Sequence, residues 1–315
     1  MPLIFTKLRS VHVIPLQALM LVFCAVLLSW SPLARAETSA GAAQNPDGPA
    51  GLSQQYETLK DQLLHNQYGK PLYLNSAESS DSVKGDIYAI LDAPFSQVHA
   101  ALGSSANWCD ILILHLNTKY CRITNDQNKP MLRVHIGKKL EQDLDDTYRV
   151  DFNYRTLASN DTYFSTAMQA DKGPLDTSNY RIRIEAIPLP DGRSFLHLMY
   201  SYSYGMASKI ALRAYLATIG RDKVGFTVTG KRANGEPEYV RGVRATVERN
   251  TMRYYLAISA YLDSLATPPD QRLEKRLVSW FNDTELYKPQ LHEVDRSEYM
   301  SMKRNEIARQ QTKLE

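Results

Sequence analysis

Three cysteines in 315 residues are too few for a disulfide-stapled miniprotein, and 15 glycines with 15 prolines fall far short of a collagen repeat. Neither sign of charge dominates: 37 Lys and Arg stand against 34 Asp and Glu. Beyond the first 36 residues no apolar run approaches membrane-spanning length. No H-E-x-x-H, G-x-S-x-G elbow, Walker loop or G-x-G-x-x-G occurs, which removes the commonest local signatures of hydrolases and nucleotide-binding enzymes. What is present is a globular composition, 43% hydrophobic and 23% charged, too apolar for a disordered polymer. The length suits one large domain or two small ones, with a sizeable core.

Residues 1–36 read as an export signal. Lys7 and Arg9 precede an apolar run over 18–28, and Ala34-Arg35-Ala36 supplies a small-x-small end, so cleavage is expected after Ala36. A retained anchor is the alternative, but Pro15, Gln17, Ser29 and Pro32 interrupt the run before the ~20 apolar residues that a span requires. Cys24 follows Phe23, not the small residue that precedes a lipid-attachment cysteine. The expected destination is periplasmic or secreted. The segment holds Lys7, Arg9 and Arg35 and no acid, so its removal leaves 34 basic and 34 acidic residues and no net charge.

Two cysteines then remain, Cys109 at a predicted helix and Cys121 entering a predicted strand, twelve positions apart. They are a disulfide candidate in a compartment that permits one, with two buried free thiols as the alternative. Without a nearby histidine they make half a tetrahedral site, and neither a metal nor a cofactor is expected.

Residues 37–55 read as a flexible leader and 54–67 as a short helix carrying Tyr56, Leu59, Leu63 and Leu64 on one face. A strand over 83–91 leads through Asp92-Ala93-Pro94 into a helix over 95–102, with Asp92 as the capping residue and Pro94 in the first turn. A second, nearly all-apolar helix follows from 107. Six strands come next, over 120–124, 131–137, 147–157, 162–170, 180–187 and 194–204. Arg181-Ile182-Arg183-Ile184-Glu185 alternates strictly, as do Tyr148, Val150, Phe152 and Tyr154 with the polar residues between them. That alternation predicts an antiparallel sheet with one wet and one covered face. Two helices are candidate covers: 206–219 and, longer, 240–265, with Val243, Val247, Tyr254, Ile258, Tyr261 and Leu262. Between them 223–230 and 238–240 suggest a short strand or hairpin. The tail from 271 holds an amphipathic piece with Leu277 and Trp280-Phe281, then a polar segment with little to bury.

One strand, two short helices, six antiparallel strands and a long helix resemble the helix-grip fold of the START-like superfamily, which includes SRPBCC and polyketide cyclase-like proteins. The likeness rests on the strand over 83–91, its Asp92-Ala93-Pro94-Phe95-Ser96-Gln97-Val98 exit, the strand series and the helix over 243–265. It implies an α+β fold, a curved antiparallel sheet wrapped around a long C-terminal helix; 206–219, an extra amphipathic helix before the last strand, departs from that plan. The implied organisation is a signal peptide over 1–36, a leader and short helix over 37–82, a START-like domain over 83–266 and a helical tail over 267–315.

The resemblance also implies a cavity between sheet and helix for a lipid or other hydrophobic small molecule. By strand parity its lining is Val134, Phe152, Tyr154, Ile184, Leu198, Tyr200 and Tyr202, with Tyr254 and Ile258 from the helix. Alternation fits a filled core equally well. In Tyr200-Ser201-Tyr202-Ser203-Tyr204 the three rings share a face, suited either to a pocket edge or to cross-strand aromatic pairing. His65, His99, His115, His135, His197 and His292 are scattered, and each reads as surface or structural. Asp143, Asp145 and Asp146 read as a solvated turn. Mixed charges and neutrality argue against nucleic acid. Lys209, Arg213 and Arg221 beside the 206–219 helix leave peripheral membrane contact open.

Three functions therefore stand: a lipid or hydrophobic-ligand carrier, a cyclase- or hydrolase-type enzyme in the same pocket, and an envelope interaction module contacting partners through its tail.

Overall fold

Strict alternation in the strands closes into a single antiparallel sheet whose two faces have different covers. The computed structural model describes residues 48–205 and 223–312. The expected export signal and the 206–219 helix with its basic flank lie outside the described residues. Eight strands form the main sheet: β1 Leu72–Glu78, β2 Ser82–Leu91, β3 Thr118–Asp126, β4 Lys129–Ile136, β5 Tyr148–Asn160, β6 Tyr163–Lys172, β7 Thr177–Pro188 and β8 Ser194–Tyr204. Their spatial order is β1-β2-β8-β7-β6-β5-β4-β3, so β2 pairs with the last strand, with Ile87 opposite Leu198 and Gly85 opposite Tyr200. β9 Val228–Lys231 and β10 Pro237–Tyr239 form a separate hairpin. Among the described residues the last strand of the main sheet is thus β8.

Helix α4, Gly242–Ser264, lies along one face of the sheet. The arrangement is the expected helix-grip fold, α+β, with a curved sheet wrapped around a long helix. Leu74, Val83, Ile87, Leu198, Ile184, Met168 and Phe152 form the sheet side of one continuous core, and Val247, Met252 and Ile258 form the helix side. Alternation explains the choice of face, because the side-chain period of a strand is two. Helices α2, Phe95–Leu102, and α3, Trp108–Leu112, connect β2 to β3 and join the same core. The expected capping by Asp92 is not seen. Pro94 itself occupies the N-cap position without a side-chain cap, and its carbonyl accepts from Gln97 N at 3.0 Å.

The sheet starts earlier than the sequence suggests. β1 pairs with β2 along its whole length, yet it is short, begins just after Pro71 and turns polar at Asn75 and Ser76, all of which dilute its signal. Helix α1, Pro49–Leu64, likewise begins inside the presumed leader, with Pro49 in its first turn. Its Leu52, Tyr56, Leu59 and Leu63 pack on Tyr88, Ile90, Tyr163, Ile187 and Phe195. Part of the expected wet face is therefore covered.

The C-terminal segment departs most from expectation. Helices α5 Arg272–Glu285 and α6 Lys288–Leu291 pack on α4, and α7 Arg296–Gln311 packs on α5 and β3. Trp280 stacks on Tyr299 with centroids 4.9 Å apart, and the Trp280 indole N–H donates to the Arg253 carbonyl. Trp280, Phe281 and Tyr299 are all buried, so the residues read as a partner contact are taken up inside the chain. As a result α4 is buried nearly all round, including Glu248, Arg249 and Arg253. Glu248 accepts from Ser76 Oγ, Thr227 Oγ1 and the Phe226 and Thr227 amides, which ties the segment before β9 to the helix.

Candidate functional site

The nine residues nominated by parity share the main core, where Tyr200 of β8 meets Tyr254 of α4. Val134, Phe152, Tyr154, Ile184, Leu198, Tyr200, Tyr202 and Ile258 belong to the main core at 0–8% exposure, and partly buried Tyr254 packs against it. Concavities of about 570 and 550 Å³ open elsewhere, one around Phe95, His99 and Ser159, the other around Leu91, Tyr255 and Asp263. None of the nine lines either of them.

The aromatic part of this core is continuous. Tyr254 of α4 stands 5.3 Å from Tyr200 of β8, Tyr200 lies 5.7 Å from Tyr202, and Tyr202 stacks on Tyr180 of β7 at 5.4 Å, all between ring centroids. Phe152 meets Tyr180 edge-on at 6.2 Å. The hydroxyls differ in satisfaction. Tyr180 shares a bond with Thr177 Oγ1 at 2.8 Å, and Tyr204 donates to the Ser79 carbonyl. Tyr200, Tyr202 and Tyr254 make no hydroxyl hydrogen bond among the described residues. The Tyr154 hydroxyl lies near Thr166, Thr156 and Trp108, but neither it nor Thr166 Oγ1 has a partner of good geometry. Burial, reinforced by the neighbouring phenols, holds Tyr200, Tyr202 and Tyr254 above the ordinary tyrosine range. They are neutral hydrogen-bonding groups near neutrality.

His115, just beyond α3, continues the row. Its ring stacks on Tyr254 at 4.8 Å, and it is 2% exposed. Burial, followed by the charges of Arg253, Lys303, Lys139 and Lys119, keeps the imidazole neutral by lowering its pKa well below the usual value. Nδ1 accepts from the Asn117 amide at 3.1 Å, so the ring proton sits on Nε2, which has no partner. His115 is a buried polar group with a perturbed pKa, the kind of residue the enzymatic reading calls for, and its Nε2–H is a donor. Sequence reasoning had only a lone histidine to go on, since the Tyr254 stack links positions 139 residues apart in the chain.

A second polar cluster lies on the opposite face of the sheet. His197 of β8 bonds Asp86 of β2 through Nε2 at 2.9 Å and Glu185 of β7 through Nδ1 at 2.8 Å, and Tyr163 donates to Glu185 at 2.6 Å. Tyr88 stacks on the imidazole at 4.2 Å. Burial disfavours the charged ring, but the two carboxylates overcome it and raise its pKa. Parity placed His197 on this face, but nothing in the sequence marked its carboxylate partners. Cys109 and Cys121 form a disulfide between α3 and β3, as proposed from their spacing. His135 bonds Thr147 Oγ1 at 2.9 Å, a structural contact of the kind expected for it.

No protein-family profile matches the chain, and no curated protein matches it. Solved structures do resemble it. Human StAR-related lipid transfer protein 5 shares 10% identity at a TM-score of 0.31, covering 53% of this chain and 90% of its own. A START superfamily protein from Mycobacterium smegmatis shares 12% at 0.29, covering 45% and 93%. Truncated norcoclaurine synthase from Thalictrum flavum shares 13% at 0.29, covering 50% and 90%. At these identities the likeness concerns the fold alone.

Proposed function

We propose that this chain, START-like in fold, is an exported protein that binds a lipid or other amphipathic small molecule between its sheet and α4. The observation that carries this reading is a row of inward phenols on an otherwise apolar surface, in which the buried Tyr154 hydroxyl has no hydrogen-bond partner. A buried polar group without a partner costs about 1–3 kcal/mol, and a ligand with a polar end and an apolar body offsets that cost where a purely apolar one does not. The disulfide supports an oxidising compartment. The ionisable groups along this row are phenols held protonated and an imidazole held neutral.

Native mass spectrometry of protein purified without detergent tests the binding. A co-purifying species in the mass range of a lipid, removed by organic extraction and diminished in Tyr200→Ala, is expected. Protein that stays ligand-free and takes up no added lipid defeats the reading. Export is tested separately by N-terminal sequencing of the mature protein, which should begin at Glu37.

A further inference from the structure

Five cations gather where α3, β3, α4 and α7 meet, and two carboxylates serve them. Glu306 of α7 takes Lys119 at 3.0 Å and Lys303 at 2.7 Å. Glu293 takes Lys139 at 2.5 Å, Arg253 at 2.8 Å and Lys223 at 3.3 Å. Lys119, Lys303 and Arg253 are buried, and the side chains of Lys139 and Lys223 are about three-quarters so. Carbonyl oxygens absorb further donors: Lys303 reaches His115 and Thr118, Lys119 reaches Leu140, and Lys223 reaches His292. Carbonyls satisfy hydrogen-bonding capacity but do not neutralise charge. Of the remaining charges facing these groups, Arg249 acts on Lys139, while Arg309 and Glu141 act on Lys119. Among the described residues, Lys119, Lys303, Lys139 and Lys223 outnumber Glu306 and Glu293, the carboxylates they pair with.

His115 sits inside this excess, its Nε2–H a buried donor with no acceptor. A donor without an acceptor and lysines that outnumber the carboxylates they pair with are deficits of the same sign, and one anionic acceptor relieves both. Tyr254 covers the imidazole and is the partly buried member of the row. No hydrogen bond among the described residues restrains its hydroxyl, so moving its ring costs packing and stacking only. Beyond Tyr254 the row continues along Tyr200, Tyr202 and the aliphatic face of β7 and β8.

We infer that the ligand is an acidic amphiphile whose carboxylate accepts from His115 Nε2–H and whose chain lies along the tyrosine row. The inference rests on the proposed sheet-to-helix binding site and specifies which end of the ligand lies where. Neutral His115 makes it a donor at neutral pH without itself adding charge, and the surrounding cations favour a carboxylate over an alcohol of equal length.

Decanoate and decan-1-ol, which differ at the head group alone, provide the test. Calorimetric titration of the wild-type chain should show decanoate binding about tenfold or more tightly than the alcohol, as a charge-assisted hydrogen bond requires. His115→Phe keeps the ring stack and removes the donor, so decanoate should fall to the level of the alcohol while alcohol binding is retained. His115→Gln restores an N–H and should recover part of the preference. In the wild-type protein, where folding of variants is not at issue, decanoate should also shift the His115 Nε2–H resonance in a side-chain 1H–15N spectrum. Equal binding of both probes, or a preference unchanged in His115→Phe, overturns the head-group assignment and leaves the pocket standing. Binding of neither probe overturns the pocket reading and this inference with it.

Discussion

Gly85 of β2 lies directly beneath Thr251 of α4. A Cβ at position 85 would press on Thr251 Oγ1 and fall 3.2 Å from Thr251 Cβ. Thr251 cannot readily yield, because it is fully buried and its hydroxyl donates to the Val247 carbonyl at 2.8 Å. The missing side chain therefore sets how closely the helix approaches the sheet. Gly85→Ala should destabilise the protein by about 1–3 kcal/mol through overpacking. Urea denaturation checks this, and adding Thr251→Ala should recover part of the loss; no loss in the single variant would mean that the helix can shift freely.

Glu293 predicts an acid limb. Burial alone would raise its carboxyl, but the charges of Arg253, Lys139 and Lys223 prevail and hold it at about 2, below its ordinary 4.5. The folded state binds its proton less readily than the unfolded state. The contribution is therefore present above pH 4.5 and lost as pH falls toward 2, amounting to roughly 3 kcal/mol. Melting temperatures from pH 7 to 2.5 should fall more steeply in the wild type than in Glu293→Gln. Parallel curves contradict the assignment.

His197 acts with the opposite sign. Its folded pKa is raised above 6.5 by Asp86 and Glu185, so its stabilising effect is complete below pH 6.5 and disappears as pH rises through the folded value. NMR titration of the imidazole should give a midpoint above 6.5. The stability gap between wild type and His197→Phe should narrow from pH 6 to 9, and a constant gap would show that the ring is held neutral.

The Cys109–Cys121 bridge closes a loop of twelve residues. Chain-entropy arguments put its contribution at about 2–3 kcal/mol. Reduction, or Cys109→Ser with Cys121→Ser, should lower the melting temperature by several degrees without dissolving the sheet seen by circular dichroism. An unchanged melting curve after complete reduction would count against it.

Particular residues show how much was readable beforehand. The alternation at 148–154 and 181–187 placed Phe152, Tyr154 and Ile184 on the helix side, because the period of a strand is a local property. β1 escaped notice because an edge strand with a polar second half has half a pattern. In α7 the buried positions include Lys303 and Glu306, which any sequence rule assigns to solvent. They are inside because each completes the other and because backbone carbonyls from the end of α3 and the start of β3 are waiting for Lys303.

What the sequence determined by itself was the periodic part: strands, the long helix, the face each residue takes and the two cysteines free to pair. These follow from neighbours a few positions away. The tertiary structure alone decided which polar groups meet. Asp86, Glu185 and His197 come from three strands, and His115 meets Tyr254 across 139 positions. Burial and unlike charge give such groups their chemistry, and both depend on chain segments that the local sequence does not contain. The same twelve-residue spacing that suggested a disulfide carried no hint that the histidine six positions past Cys109 would sit neutral amid buried cations.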